Sequence, residues 1–143
     1  MANRRMISKK IVFSDDFLGM PVGAQLLYIY LIARADDDGF MNHPKSVVRN
    51  IGVTEEDLAV LVDNGYLLPF EKGVVVITHW HEHNEVPKSR YKPTRYQDQF
   101  SRLTLLPDGS YALRADTPED MRAASGRRPE FTWHRAEAAG LKI

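Results

Sequence analysis

The chain has 143 residues, 43% of them hydrophobic and 27% charged, and its 19 basic side chains balance 19 acidic ones. That composition fits one folded domain with a short appendage and argues against wholesale disorder. With zero net charge and no cysteine, the chain has no whole-molecule field for polyanions, no disulfide framework and no cysteine-ligated zinc site, and a reducing, cytoplasmic setting is expected.

The basic start Arg4, Arg5, Lys9, Lys10 leads into only Ile11, Val12 and Phe13 before Asp15 and Asp16. That apolar stretch is too short for a signal peptide. Ser14 with Asp15 and Asp16 reads as an N-cap followed by carboxylates in a first helical turn. After Pro21, the run Ala24 to Arg34 is apolar on nearly every side, as in a helix packed between other elements. It is far below membrane-spanning length, so no membrane partner is expected. Asp36-Asp37-Asp38-Gly39 ends this core helix in a turn, and Phe40 and Met41 can supply a short strand. Pro44 then opens a helix at its first position, with Val47, Val48 and Ile51 on its buried face. Gly52 closes that helix. Thr54 with Asp57 forms a capping-box pattern that starts the next, where Leu58, Leu61 and Val62 fall at helical spacing.

Gly65 stops this second helix. Tyr66 to Phe70 and Val74 to Trp80 are strand candidates joined at the corner Glu71-Lys72-Gly73, with Pro69 tolerable on an edge strand. Lys88 to Arg102 interleaves five bases with Tyr91, Tyr96 and Phe100 and nets plus four after Asp98. Either it is a basic aromatic surface, or it is a returning helix with its rings in the core; the two are compatible. Leu103 to Leu106 and Ser110 to Leu113 flank the turn Pro107-Asp108-Gly109, which predicts a second hairpin. Thr117-Pro118-Glu119 predicts one short helix, and 125–143 reads as a tail that docks through Phe131 and Trp133. The expected class is therefore α+β, a winged helix-turn-helix. We divide it into a winged-helix domain with a basic arm (1–102), an accessory hairpin with a short helix (103–124), and the tail.

A family resemblance accompanies this order. Arg5-Met6-Ile7-Ser8-Lys9-Lys10-Ile11, Met20-Pro21 with Ala24-Gln25, Ala35-Asp36-Asp37-Asp38-Gly39-Phe40, Asn42 with Pro44-Lys45, Pro69-Phe70-Glu71, His79-Trp80 with His83-Asn84, and Arg90-Tyr91-Lys92-Pro93-Thr94 carry it. On these stretches the chain resembles the N-terminal domain of phage replisome organisers, relatives of the DnaD-like primosome proteins. The resemblance implies a winged helix that binds replication-origin DNA or primosome partners. Gly23 stands where a Ser is expected before the core helix, and His43 where a second Asn is expected. The helicase-loading domain of longer relatives has no counterpart in these residues, so loader activity is not carried over.

Three motifs invite chemistry. His79, His81 and His83 alternate, which on a strand would put three imidazoles on one face, but no fourth ligand is implied and no metal is expected. The Asp36 to Asp38 cluster lacks the alternating oxygens of a calcium loop. It reads instead as a solvated turn in which one Asp bonds backbone amides and a base from elsewhere neutralises the rest. No phosphate loop, nucleophile elbow or paired carboxylates appear, so neither an enzyme nor a cofactor is expected.

The second helix of the helix-turn-helix carries Glu55, Glu56, Asp57 and Asp63 and no base, so DNA contact must come from flanking residues. The candidates are Arg4, Arg5, Lys9 and Lys10 in the arm, Lys45 and Arg49 on the first helix, Lys72 at the corner, and Lys88, Arg90, Tyr91, Lys92 and Arg95 beyond. The rival expectation is a scaffold that uses the acidic helix and strand edges to self-associate or recruit a replisome protein. A transcriptional regulator reusing the fold is a further alternative.

Overall fold

The computed structural model describes residues 4–114. The short helix expected from Thr117 and the tail with Phe131 and Trp133 lie outside the described residues. Within them the chain is α+β, with seven α-helices and two small antiparallel sheets.

Helix α1 (Lys9–Val12) and helix α2 (Asp15–Leu18) are single turns. The Ser14 hydroxyl accepts the Phe17 amide at 3.2 Å, and Asp15 and Asp16 sit in the first turn, where carboxylates offset the exposed amides. Helix α3 (Val22–Arg34) buries Leu27, Tyr28, Leu31 and Ile32 completely. Its N-cap is Pro21, so Gly23 lies inside the first turn. A Cβ built there falls 2.1 Å from Asp57 Oδ2. The Ser expected at this position would drive Asp57 from its own hydrogen bonds, which accounts for the departure.

Strand β1 (Phe40–Asn42) leads through His43 into helix α4 (Pro44–Ile51). His43 has φ 53°, a left-handed conformation in which Asn, Asp and His are the commonest non-glycine residues, so the exchange of Asn for His keeps the turn. Helix α5 (Glu55–Asp63) opens on a complete capping box: Asp57 N to Thr54 Oγ1 at 3.1 Å, Thr54 N to Asp57 Oδ2 at 3.0 Å. Helices α4 and α5 pack on each other and both pack on α3. Leu27, Leu31, Val48, Leu58, Leu61 and Ile77 all lie in one buried cluster, as the apolar spacing predicts. Burial of each such side chain contributes roughly 1.5–3 kcal/mol.

Strand β2 (Leu67–Pro69) and strand β3 (Val74–Ile77) flank a 3₁₀ turn over Glu71–Gly73, in which Lys72 has φ 64°. The sheet order is β1-β3-β2, all antiparallel. Central β3 is buried along its length, and Pro69 lies on edge strand β2, where a missing amide disturbs no ladder.

Beyond Ile77 the structure departs from the pattern reading. Residues 80–83 form one helical turn, α6 (Trp80–His83), not an extension of β3. Trp80 and His83, three apart, are both buried, and the Glu82 and His83 amides bond back to His79 O. The three alternating imidazoles therefore do not share a strand face. Helix α7 (Gln97–Ser101) is short and residues 84–96 run irregularly, so the returning helix is confined to a single turn. The second hairpin, β4 (Leu103–Leu105) and β5 (Tyr111–Leu113), forms as expected, with Asp108 accepting the Ser110 amide and hydroxyl. Leu103 and Tyr111 join the same buried cluster as the helices.

Candidate nucleic-acid interface

The Asp36-Asp37-Asp38-Gly39 turn holds Arg5 by its side chain and Lys92 by its backbone amide. The turn is not solvated as expected, since Asp37 and Asp38 are 2% and 3% exposed, although one Asp does bond backbone amides and a distant base, Arg5, does pair with another. Gly39 takes φ 90°, and a Cβ on it would meet Trp80 Cγ at 2.7 Å, so the turn closes directly onto the indole. Buried carboxylates need donors, and each Asp has a set. Asp36 Oδ1 accepts the amides of Asp38 and Phe40, both at 3.0 Å, and its Oδ2 accepts the Thr94 hydroxyl at 2.6 Å. Asp37 accepts Arg5 at 2.9 Å and the Lys92 amide at 3.0 Å. Asp38 accepts the Tyr91 hydroxyl on both oxygens, at 2.8 and 2.7 Å, and the Thr94 amide at 2.8 Å. Burial pushes the Asp36 carboxyl above its ordinary range, against these donors. Burial, then the hydrogen bond to Asp38, pushes the Tyr91 phenol well above its usual value.

Two of the candidate DNA contacts, Arg5 and Tyr91, are thereby engaged with the turn. Arg5 has a side chain only 7% exposed; it bonds Asp37 and Ala35 O and lies 5.1 Å over the Trp80 ring. It is a buried counter-ion, and its place in the basic arm as a DNA contact is corrected. Tyr91 holds Asp38 through its hydroxyl, although 40% of the residue stays exposed. The rest of the arm is docked as well, since the Met6 amide bonds Asn84 Oδ1 at 2.7 Å and the Ser8 amide bonds His83 Nδ1 at 2.9 Å. With Nδ1 accepting, His83 carries its proton on Nε2 and donates to the Tyr28 oxygen, 2.7 Å away. Burial, then the nearby His79, lowers the His83 pKa to about 4. His81 instead meets the Tyr111 hydroxyl at 3.0 Å, and His79 meets Glu82 at 3.3 Å, so the imidazoles have separate partners. Among the described residues no three metal-ligating side chains converge.

Lys45 pairs with Glu55 across α4 and α5 at 3.2 Å. Arg4, Lys9, Lys10, Arg49, Lys72, Lys88, Arg90, Lys92 and Arg95 are exposed. Arg102, by contrast, is ion-paired with Glu71 and lies 5.2 Å from the Phe70 ring centroid.

Tyr91 and the segment after it, fastened at Asp37 and Asp38, line two clefts of opposite character. The larger, about 580 Å³, is lined by Asp37, Asp38 and Glu85 with His81 and Arg114, and its carboxylates repel phosphate. The smaller, about 350 Å³, gathers Arg34, Lys92 and Arg95 over Met41, Asn42 and Tyr96. Its one acid, Asp36, already accepts from the Asp38 and Phe40 amides and the Thr94 hydroxyl. The structure thus brings Lys92 and Arg95 together and adds Arg34 and Asn42, which charge counting along the sequence missed. The available signal was indirect: Arg34 is the last residue of the core helix, two residues before the Asp turn that anchors Lys92. Around the cleft, buried Phe40 stacks on half-buried Tyr96 at 6.1 Å, and exposed Arg95 lies 5.1 Å from the Tyr96 centroid. Compared with known proteins, the chain matches no family model, no curated protein and no solved structure.

Proposed function

We propose that the chain is a winged-helix module that binds DNA in phage-type replication initiation, with the replication setting resting on the resemblance in its motifs. In this reading α4 and α5 are the helix-turn-helix and the β2–β3 hairpin is the wing. The observation that supports it is the cleft that gathers Arg34, Lys92 and Arg95, which Asn42 lines just ahead of α4 and which no acid of α5 lines. Glu55 and Glu56 would be repelled by phosphates in a major-groove docking, so flanking bases supply the contacts. The outward face of α3 supports a second reading, assembly: Val22, Leu26 and Tyr30, at spacing four, are 79%, 42% and 48% exposed.

Fluorescence anisotropy over a salt series tests the first reading. Replacing Lys88, Arg90, Lys92 and Arg95 with Ala should weaken binding irrespective of sequence. If all four meet phosphates, the log-log salt slope falls by about 3.6 on duplex DNA or about 2.8 on a single strand. Replacing Glu55 and Glu56 with Gln should leave binding intact or strengthen it, because the Lys45 partner loses its charge. Absence of DNA binding at any salt, with a concentration-dependent oligomer in sedimentation, would move assembly to first place.

A further inference from the structure

The cleft beside β1 has a mixed lining, part cationic and part apolar, that phosphate contacts alone do not use. Its lining joins exposed Arg34, Lys92 and Arg95, a cationic rim, to buried Phe40 and Met41 with Pro93 and Tyr96, an apolar floor, and Asn42 and Asp36 complete it. A duplex presents phosphates on its ridges and keeps its bases stacked inside, so it would touch the rim and leave the apolar floor empty. An unpaired base can turn inward, stack, and offer its edge to an amide. The volume of about 350 Å³ gives room for a single nucleoside. Phe40, Tyr96 and Arg95 run from 1% exposed core through a half-buried ring to an exposed guanidinium, the plane on which a base can stack. The clamp on Asp37 and Asp38 holds Lys92 and Thr94 by their backbone amides, so the side of the cleft formed by this segment is set before ligand arrives.

We infer that this cleft takes one unpaired nucleotide, so that the domain prefers single-stranded to duplex DNA. The inference rests on the DNA-binding reading above and adds the strandedness of the ligand. The rim attracts the flanking phosphates, the Arg95 plane and apolar floor receive the base, and Asn42 meets its polar edge.

The test compares fluorescein-labelled oligo(dT) of about a dozen residues, a duplex of equal length, and inorganic polyphosphate as a base-free competitor, at matched salt. Oligo(dT) should bind about tenfold tighter than the duplex, as one added base stack implies, and polyphosphate should displace the duplex more readily than oligo(dT). Arg95→Lys keeps the charge and removes the plane. It should weaken oligo(dT) binding about fivefold with the salt slope unchanged, and leave duplex binding as it was. Because Arg95 is exposed, circular dichroism should show the variant folded. Duplex binding as tight as oligo(dT), or an Arg95→Lys variant indistinguishable from the parent, would overturn the inference while leaving DNA binding intact. Failure of both nucleic acids to bind would overturn it together with the reading it rests on.

Discussion

Residues 44–63 and residues 84–96 differ in what holds them. The first stretch carries its own instructions: Pro44 at N1, Gly52 with φ 80° at the helix end, and Thr54 and Asp57 closing a capping box three residues apart. The second has one helical turn at its edge and almost no internal periodicity. It is positioned by carboxylates 53 to 58 residues earlier, Asp38 on Tyr91 and Asp36 on Thr94 among them. A stretch with local caps and an apolar stripe folds as a helix wherever it packs, whereas a strap held by distant hydrogen bonds keeps its shape only while those bonds last. The candidate DNA interface lies on the strap.

The largest expected effect probes the helical stretch. Leu61 is fully buried on α5, a helix that packs on α3, α4 and β2. Leu61→Ala should reduce unfolding free energy by about 2–5 kcal/mol, measured by urea titration. Since the strap hangs from the same core, both stretches should unfold together at the lower midpoint. A midpoint unchanged by the substitution would contradict the core assignment.

The next effect is a pH dependence at the junction of the two stretches. His83 has its pKa lowered from the ordinary 6.5 to about 4 by burial and by His79. The unfolded chain therefore binds a proton that the native chain refuses. Stability is full above pH 6.5, falls as the pH drops from there to about 4, and falls no further below that on account of this group. The loss approaches the order of 3 kcal/mol. Asp36, whose pKa is raised by burial, acts in the opposite sense at the acid end. Denaturant midpoints from pH 7.5 to 4.5 should trace the decline, and His83→Gln should flatten it. A parent chain equally stable across that range would show that the folded His83 ring takes up a proton as readily as the unfolded one, and that neither burial nor the bond from the Ser8 amide to Nδ1 holds it neutral.

These contrasts explain which parts of the molecule were legible. Caps, glycines and apolar spacing within a dozen residues mark both helices, the Pro69 edge strand and the Asp108 turn, and those features stand in the structure. The alternation of His79, His81 and His83 misleads because a buried Trp80 between them, with its indole donating to Asp37 O at 2.9 Å, turns the chain into a helix. The burial of Asp37 and Asp38 was unreadable for a related reason. Three consecutive carboxylates look solvated unless their donors are known, and Arg5, Tyr91 and Thr94 lie far away in sequence. For the same reason the sequence hid that Arg5 is a counter-ion of Asp37 and that Arg34 shares a cleft with Lys92 and Arg95.

The smallest expected effect sharpens the comparison most. Tyr91→Phe removes one hydroxyl whose single proton is shared between the two Asp38 oxygens, and leaves the Thr94 amide as that carboxylate's remaining donor. The ring is 40% exposed, so water can partly replace the hydroxyl and the global cost should be about 1.5 kcal/mol, near the low end for bonds to a charged group. The local effect should be larger than the global one suggests. Amides of Lys92 and Thr94, which donate to Asp37 and Asp38, should exchange with deuterium markedly faster, while those of Leu58 to Val62 in α5 keep their protection. Oligonucleotide affinity should fall although no charge has changed, because the strap that carries Lys92 and Arg95 is no longer held against β1 and its ordering must then accompany binding. Equal acceleration at Leu58 to Val62 would mean that strap and helices open as one unit, and the distinction between locally capped and remotely fastened structure would not hold for this chain.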